Sequence, residues 1–421
     1  MVKEGYKNTE LGEIPVDWEV KQLKEICIGN CEYGINAAAK EFENGSIRYL
    51  RITDINNNYN LSNKEIKTVN ANESDICKYI LKEKDIVFAR TGNTTGKSYL
   101  YNKKDGILVF AGFLIKFSID SKMYNAKFLK YYVQSTNYWK WVKRMSLRSG
   151  QPGINSKEYS LLQVPVPPLP EQQKIAFILS TVDQHIEETE ALIEKTKELK
   201  IGLMRKLLTK GIGHTEFKKT EVGEIPVEWE VKKLREVSEV VSGGTPSTNK
   251  QTFWLDGNIP WATPTDITSR SKYIRETNKN ITYDGLKNSS ANLLPVGSIL
   301  MTSRATIGEK SINTVPIATN QGFKSFVCKQ SLNNEFLYYL IDTLIPRLIN
   351  LSSGSTFLEI SKKEVENMKI QYPPLKEQIK IGGILLVIDD EIEEYNNKKE
   401  KLQYLKKGLM QQLLTGKKRV I

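Results

Sequence analysis

The feature that most constrains the fold is a long-period internal repeat. Residues 6–26, YKNTELGEIPVDWEVKQLKEI, return at 217–237 as FKKTEVGEIPVEWEVKKLREV, with fourteen of twenty-one positions identical. A second segment, 167–209, returns at 373–415. Solenoid repeats have periods of about 20–50 residues, so a period of roughly 210 residues indicates a duplicated domain. We therefore expect a repeated frame that carries two divergent interiors.

Both copies of the second repeated segment carry a heptad pattern. Apolar residues fall three and four positions apart through 171–209 and again through 377–415, with Glu and Lys between them. This spacing predicts coiled-coil helices, each about 58 Å long. An apolar seam needs a partner helix, and the simplest partner for one copy is the other copy. Because the second domain lies between the two helices in the chain, we expect an antiparallel pair with one domain at each end, whereas a parallel pair would put both domains at the same end. The alternative is two independent helices, each packed on its own domain.

The charge balance favours a polyanionic partner. The 421-residue chain has 61 Lys and Arg against 49 Asp and Glu, a formal net charge of +12. Lys and Arg that neutralise phosphates release counterions and so favour nucleic-acid binding. The chain contains no eighteen-residue apolar run and its N-terminus has no apolar signal region, so we expect a cytoplasmic protein without membrane contact.

Residues for catalysis or metal binding are scarce. The two histidines, His185 and His214, lie in the predicted coiled coil and in a linker, so a histidine-based centre is not expected. Cys27 and Cys31 are four residues apart, but no second cysteine pair or nearby histidine completes a zinc set. The segment TGNTTGKS (91–98) has three residues between its glycines where a phosphate loop needs four, so we interpret it as a turn. We expect a protein with no catalytic or metal-binding residues of its own.

The two interiors, about 28–163 and 238–369, predict an α+β fold. Short β-branched and aromatic runs are broken by Gly, Asn and Pro, and a helix is expected near 124–146 and near 332–350. A faint similarity joins VFARTGNTTGK to LMTSRATIGEK. It aligns Arg90 with Arg304 and Gly96 with Gly308 across a two-residue gap.

Side chains at the predicted loops are candidates for DNA contact, because Arg and Lys read guanine, Gln reads adenine, and all can bind phosphate. The candidates are Tyr33, Arg51, Arg90, Lys97, Arg148 and Gln151 in the first interior, and Arg270, Lys272, Arg304, Lys310, Gln321 and Lys324 in the second. Each has the alternative of a solvated surface charge. For Arg90 and Arg304 a further alternative is an internal salt bridge, to a carboxylate such as Asp54 or Asp266.

Several motifs together resemble one known family. They are GEIPxxWE, the SGGTPST…FW…IPWATPTDI run at 242–267, ATNQGF at 318–323, PPLxEQ and GLMxxLLTxG. The combination, which covers nearly the whole chain, resembles the specificity subunit of type I restriction–modification systems. The first interior departs from the pattern, because CEYGINAAAKEF (31–42) replaces the GGTPST opening and DGILVFAGF (105–113) lacks the Asn-Gln pair. We expect it to belong to a different recognition subtype.

The resemblance implies two target recognition domains in a pseudo-twofold repeat, separated by an antiparallel coiled coil. We place the first domain at 1–163, the first helical region at 164–210, the second domain at 211–369 and the second helical region at 370–421. Each domain would read one half of a split sequence in double-stranded DNA, and the helices would set the spacer. The partners implied are two modification (methyltransferase) subunits and the restriction subunits, which would carry S-adenosylmethionine, ATP and magnesium, so that this chain binds no cofactor.

Two other functions stay open at this point. One is a self-contained nuclease or methyltransferase, which the missing motifs disfavour. The other is a duplicated scaffold that joins two protein partners without reading DNA bases. A salt-dependent shift of duplex DNA would distinguish DNA reading from the scaffold.

Overall fold

The computed structural model describes residues 3–147, 151–267, 272–353 and 358–420. The chain forms two compact units. The first consists of Met1–Glu190 with Asn397–Ile421, and the second of Ala191–Asn396. Each unit therefore contains one half of each long helix. The predicted division at residues 163, 210 and 369 stays a prediction.

The first unit contains two small strand pairs and two four-stranded sheets. Its strands are β1 (Tyr6–Thr9), β2 (Gly12–Pro15), β3 (Glu19–Gln22), β4 (Glu32–Tyr33), β5 (Ala39–Glu41), β6 (Arg48–Leu50), β7 (Lys67–Val69), β8 (Asp85–Ala89), β9 (Ser98–Leu100), β10 (Leu108–Phe110), β11 (Leu114–Ser118) and β12 (Gln163–Val166). The pairs are β1–β2 and β3–β12, and the sheets have the orders β10-β6-β7-β5 and β4-β11-β8-β9.

Helices from the first half of the chain also lie wholly or partly in the first unit. They are α1 (Glu73–Ile76), α2 (Ala126–Tyr132), α3 (Thr136–Ser146), α4 (Ser156–Ser160) and the long α5 (Leu169–Lys210), whose first half belongs to this unit. The helix predicted near 124–146 is thus two helices, because Ser135 caps α3 by accepting a hydrogen bond from the Tyr138 amide. A core that includes Phe88, Phe117 and Tyr138 joins the β4-β11-β8-β9 sheet to α2, α3 and α4.

The second unit repeats this plan with different sheet sizes. Its strands are β13 (Phe217–Thr220), β14 (Gly223–Pro226), β15 (Glu230–Lys233), β16 (Ser238–Ser242), β17 (Ile259–Ala262), β18 (Tyr273–Ile274), β19 (Asn280–Ile281), β20 (Ile299–Met301), β21 (Lys310–Asn313), β22 (Ala318–Thr319), β23 (Lys324–Cys328) and β24 (Lys369–Tyr372). They form the pairs β13–β14 and β15–β24 and the sheets β16-β23-β20-β21-β18 and β19-β17-β22. Its helices are α6 (Leu234–Val237), α7 (Pro264–Ile267), α8 (Tyr283–Lys287), α9 (Asn334–Asn350), α10 (Lys362–Asn367) and the first half of α11 (Leu375–Leu413).

The two long helices run antiparallel, as the heptad pattern and the chain order predicted. In the first unit Asp183 contacts Lys406 at 2.7 Å and Glu190 contacts Lys399 at 3.0 Å. A step of seven residues towards the C-terminus of α5 therefore corresponds to a step of seven residues towards the N-terminus of α11. In the second unit Lys200 of α5 contacts Asp389 of α11 at 2.5 Å. The α5 seam residues Ile175, Leu179, Ile186 and Ile193 are buried, as are Ile381 and Leu385 of α11. The α+β fold with an antiparallel helix pair is thereby confirmed.

The repeated motifs are tied together by the same hydrogen bonds in both units. The Trp18 indole nitrogen donates to Glu171 at 3.0 Å, and Trp229 donates to Glu377 at 2.9 Å. Both indoles are completely buried. The tryptophan of GEIPxxWE and the glutamate of PPLxEQ therefore form one Trp–Glu lock in each unit, which explains why both motifs recur.

The glutamine of PPLxEQ has its own structural role. In the first unit the Gln172 side-chain amide donates to the Pro167 carbonyl and accepts from the Asn125 amide, both at 2.8 Å. In the second unit Gln378 binds Pro373 and Asn333 in the same way and at the same distances. Asn125 and Asn333 cap helices α2 and α9, so each glutamine fastens the start of a domain helix to the start of a long helix.

A Tyr–Asp–Lys triad also occurs once in each unit. In the first unit Tyr131 of α2 donates to Asp183 of α5 at 2.8 Å, and Lys406 of α11 pairs with the same carboxylate. In the second unit Tyr339 of α9 donates to Asp389 of α11 at 2.6 Å, and Lys200 of α5 pairs with it. Burial, and then the adjacent carboxylate, raise the pKa of Tyr131 well above its usual range. Each triad fixes a domain helix to both long helices.

Candidate nucleic-acid interface

In the first unit, loops from several strands meet at one edge of the β4-β11-β8-β9 sheet. The Arg90 amide donates to the Phe113 carbonyl at 3.1 Å, and the Ile154 amide donates to the Arg90 carbonyl at 2.9 Å. Thr91 forms a bridge with Gly153, and Ile35 with Ala111. We call these loops, residues 33–36, 90–97, 111–113 and 151–156, the first edge. Tyr33, Arg90, Lys97 and Gln151, four of the predicted residues, lie on it.

Arg90 and Tyr33 form a stacked pair on the first edge. The guanidinium carbon of Arg90 lies 5.0 Å from the centre of the Tyr33 ring. The Tyr33 hydroxyl donates to the Ser156 hydroxyl at 3.0 Å and accepts from the Ser156 amide at 3.2 Å, so the ring is held in place. Among the described residues no carboxylate pairs with Arg90. Its charge is therefore available to an incoming anion or base, and Asp54, the alternative partner, is occupied by Arg51.

The TGNTTGKS segment is a turn, as predicted. Gly92 and Gly96 have φ values of +69° and +92°, a backbone region that glycine adopts without strain. A side chain at Gly96 would collide with Val142 of α3 at 2.7 Å. Gln151 lies over the turn, since a β-carbon on Gly92 would be 3.2 Å from its amide nitrogen. Lys97, at the end of the turn, donates to the Asn57 side chain at 3.0 Å.

The second unit has an equivalent edge with the same backbone pattern. The Ser303 amide donates to the Gly322 carbonyl at 2.8 Å, and the Ile360 amide donates to the Ser303 carbonyl at 3.0 Å. Arg304 forms a bridge with Glu359. We call residues 242–245, 303–309, 320–322 and 358–361 the second edge. Arg304 and Gln321 are exposed on it, and the Thr245 hydroxyl donates to the Gln321 side chain.

This pattern corrects the sequence alignment of the two edges. Arg90 and Ser303 make the same two backbone hydrogen bonds, and the bridge of Arg304 to Glu359 matches that of Thr91 to Gly153. Arg304 is therefore equivalent to Thr91, and the alignment of Arg90 with Arg304 was wrong by one residue. The alignment of Gly96 with Gly308 holds, because Gly308 has φ +98° and a β-carbon there would collide with Ile345 of α9.

On the second edge, a lysine of another strand, β23, supplies the cation that Arg90 supplies on the first edge. Where the first unit has Arg90, the second has Ser303, and the Lys324 ammonium of β23 donates to the Ser303 hydroxyl at 3.4 Å. Lys324 also lies 3.6 Å from the Glu359 carboxylate, and its side chain is 8% exposed. The two edges thus share a backbone hydrogen-bond pattern and differ in their side chains. The first edge has the Arg90 guanidinium against Tyr33, and the second has the buried, paired Lys324 ammonium beside the exposed Arg304.

Three predicted residues are held by internal contacts outside the edges. Arg51 donates to Asp54 at 2.8 Å, which raises the pKa of the guanidinium. Lys272 pairs with Glu335 and donates to the Tyr339 hydroxyl at 2.9 Å. Lys310 pairs with Asp342, and its burial lowers the pKa of its ammonium. The structure does not bring these three side chains to an edge. Arg148 and Arg270 lie outside the described residues.

Sequence inspection missed other polar groups. Thr245 and Ser303 lie on the second edge, but neither residue type stands out in a chain of this composition. The triad members Asp183 and Asp389, and Lys200 and Lys406, do carry a signal, because each pair recurs at the 206-residue offset of the long helices. Within the described residues no cluster of His, Cys, Asp and Glu suits a metal ion, and none of the helices is both long and apolar enough to cross a bilayer.

The fold and the two edges define a duplicated α+β protein built on an antiparallel helix pair. The model of the type I restriction modification DNA specificity domain matches residues 15–198 and 226–404. The type I restriction enzyme MjaVIII specificity subunit of Methanocaldococcus jannaschii is 30% identical over 438 residues, which cover 99% of this chain and 97% of that protein. The chain therefore belongs to the type I restriction–modification DNA specificity family, as the motifs implied.

Solved structures agree on the fold. The crystal structure of the type I restriction–modification S subunit from M. genitalium gives a TM-score of 0.61 at 15% identity, over 94% of this chain and 96% of that one. A structure that describes complex assembly and conformational transition of a type I system gives 0.56 at 20% identity, over 96% and 99%. The chain is a specificity subunit, a non-catalytic component distinct from the methylase and restriction subunits.

Proposed function

We propose that each unit reads one half of a bipartite sequence in double-stranded DNA through its edge, and that the helix pair sets the spacer. The observation that carries this proposal is the pair of edges. They share the backbone hydrogen bonds and the bridge at the start of their turns, and they differ in the side chains that they present. A shared backbone with divergent side chains suits two readers of different sequences on one repeated frame.

The chemistry of the first edge fits base or phosphate recognition. Arg90 presents up to five donors from a position fixed by Tyr33, which reduces the entropy lost on binding. Gln151 is exposed next to it and can pair with adenine. On the second edge Arg304 and Gln321 supply the same two chemistries.

The test uses the full chain assembled with its modification subunits. The recognised site is first mapped from the DNA that the complex methylates, and binding of a duplex that carries this site is then measured. We expect Arg90→Ala and Arg304→Ala each to weaken binding by about 1–3 kcal/mol if the arginine reads a base. A phosphate contact would instead weaken all sequences alike and reduce the salt slope by about one. The control is Lys103→Ala, an exposed lysine outside the first edge. Unchanged affinity in both stably folded arginine variants would contradict the proposed edges.

The long helices also offer a surface for the modification subunits. Leu199 and Leu405 occupy the same position in the two copies, and are 54% and 49% exposed. A repeated apolar position fits a partner that docks twice, and hence two methyltransferase subunits. S-adenosylmethionine, ATP and magnesium would then belong to the modification and restriction subunits, in a complex that acts in the cytoplasm.

A further inference from the structure

We propose that Phe113 is an apolar base reader of the first edge, and that the group it contacts is the C5-methyl of a thymine. This inference rests on the proposed function and extends it to a residue outside the basic and amide groups. The Phe113 side chain is 54% exposed, and it lies on the turn whose carbonyl accepts the Arg90 amide.

Backbone hydrogen bonds fix the turn that carries Phe113. The Leu114 amide donates to the Ala111 carbonyl at 2.8 Å and closes the turn. The Gly112 amide donates to the Ile35 carbonyl at 2.9 Å, and the Phe113 carbonyl accepts from Arg90 at 3.1 Å. The backbone is thus bonded to strands on both sides. A turn fixed in this way loses little backbone conformational entropy when its side chain meets a ligand.

The neighbours of Phe113 favour DNA over a protein partner. The turn is bonded to Arg90, the cation of the stacked pair, and Gln151 lies on the same edge. A docking site for a protein would instead be expected to present several apolar side chains together. In the major groove, arginine pairs with guanine, glutamine pairs with adenine, and phenylalanine contacts the thymine methyl. The first edge therefore carries a complementary set for three bases.

The second edge lacks this reader. Gly322 accepts the Ser303 amide where Phe113 accepts the Arg90 amide, so the ring of the first edge is replaced by a hydrogen atom on the second. Asn320 and Gln321 precede this glycine, and the Gly322 amide donates to the Asn320 side chain at 2.9 Å. The apolar contact is consequently confined to one half-site.

The test uses uracil, which differs from thymine only by lacking the methyl group. The full chain is assembled with its modification subunits, its site is mapped from the DNA that the complex methylates, and duplexes are prepared with each thymine replaced in turn by uracil. For the wild type we expect about a fourfold loss of affinity at one thymine of the first half-site, the value of one buried methyl group. Phe113→Ala should bind about tenfold more weakly and should not distinguish thymine from uracil there.

The control variant is Ile107→Ala. Ile107 is 58% exposed and precedes β10, whereas the turn follows that strand. It should leave affinity and the uracil effect unchanged. Equal binding of thymine and uracil duplexes by the wild type, at every position of the first half-site, would overturn the methyl contact and leave the proposed function intact. A Phe113→Ala variant that keeps the uracil effect would also overturn it. A wild-type complex that binds no duplex would overturn both proposals.

Discussion

The two triads allow a prediction that compares how much the equivalent tyrosine stabilises each unit. Tyr131 and Tyr339 occupy equivalent positions, but their hydroxyl groups make different numbers of hydrogen bonds. The Tyr131 hydroxyl makes one charged hydrogen bond, to Asp183. The Tyr339 hydroxyl makes two, because it donates to Asp389 and accepts from the Lys272 ammonium at 2.9 Å. Removing the hydroxyl by Tyr→Phe should therefore destabilise the second unit more than the first.

The magnitude follows from the number of bonds lost. A hydrogen bond to a charged group contributes about 1.5–3 kcal/mol. Neither substitution isolates a charge, since Asp183 keeps Lys406 and Asp389 keeps Lys200. We expect Tyr131→Phe to lower the free energy of unfolding by about 2 kcal/mol and Tyr339→Phe by about 4 kcal/mol. The measurement is equilibrium denaturation of the full chain in guanidinium chloride.

A double-mutant cycle identifies the source of the difference. Lys272→Met removes the extra donor, so it should couple to Tyr339→Phe by about 2 kcal/mol and should not couple to Tyr131→Phe. The reasoning is refuted if the two tyrosine substitutions cost the same, or if Lys272→Met couples equally to both. In either case the contact between Lys272 and Tyr339 would not make the second tyrosine contribute more to stability than the first.

Two further predictions concern the spacer and the separateness of the readers. Inserting one heptad at matched positions in both long helices should lengthen the spacer in the methylated sequence while both half-sites stay the same. Mapping of methylated sites checks this prediction. An altered half-site would contradict the proposal that the helix pair sets the spacer. Replacing residues 28–163 with the corresponding block of another specificity subunit should change one half of the mapped sequence, because each edge is built within one unit; a chimera with both halves changed would show that the readers are coupled.

The frame could be predicted from sequence, because its signals are local and repeated. The helices predicted at 171–209 and 377–415 are observed at Leu169–Lys210 and Leu375–Leu413. The antiparallel direction followed from the shared heptad pattern and the chain order. The turn at 91–98 was also predicted correctly, since glycine spacing alone excludes a phosphate loop.

The edges were predicted less well, for two physical reasons. The turn after Arg90 is one residue longer than its equivalent after Ser303, and without the backbone hydrogen bonds the extra residue could not be located. Partners distant in sequence decide whether a lysine is available. Lys272 pairs with Glu335 and Lys310 with Asp342, and nothing near either lysine in the sequence indicates such a pair.

The Trp–Glu locks have a consequence for how such chains change over time. Each lock joins a tryptophan before a divergent interior to a glutamate after it, and the two indole–carboxylate hydrogen bonds have similar lengths. Genetic recombination within the repeated motifs would therefore deliver a foreign domain with a complete lock at its base. Junctions inside the interiors would instead split a sheet. An exchanged segment would therefore be expected to begin and end at the two partners of a lock, outside the divergent interior.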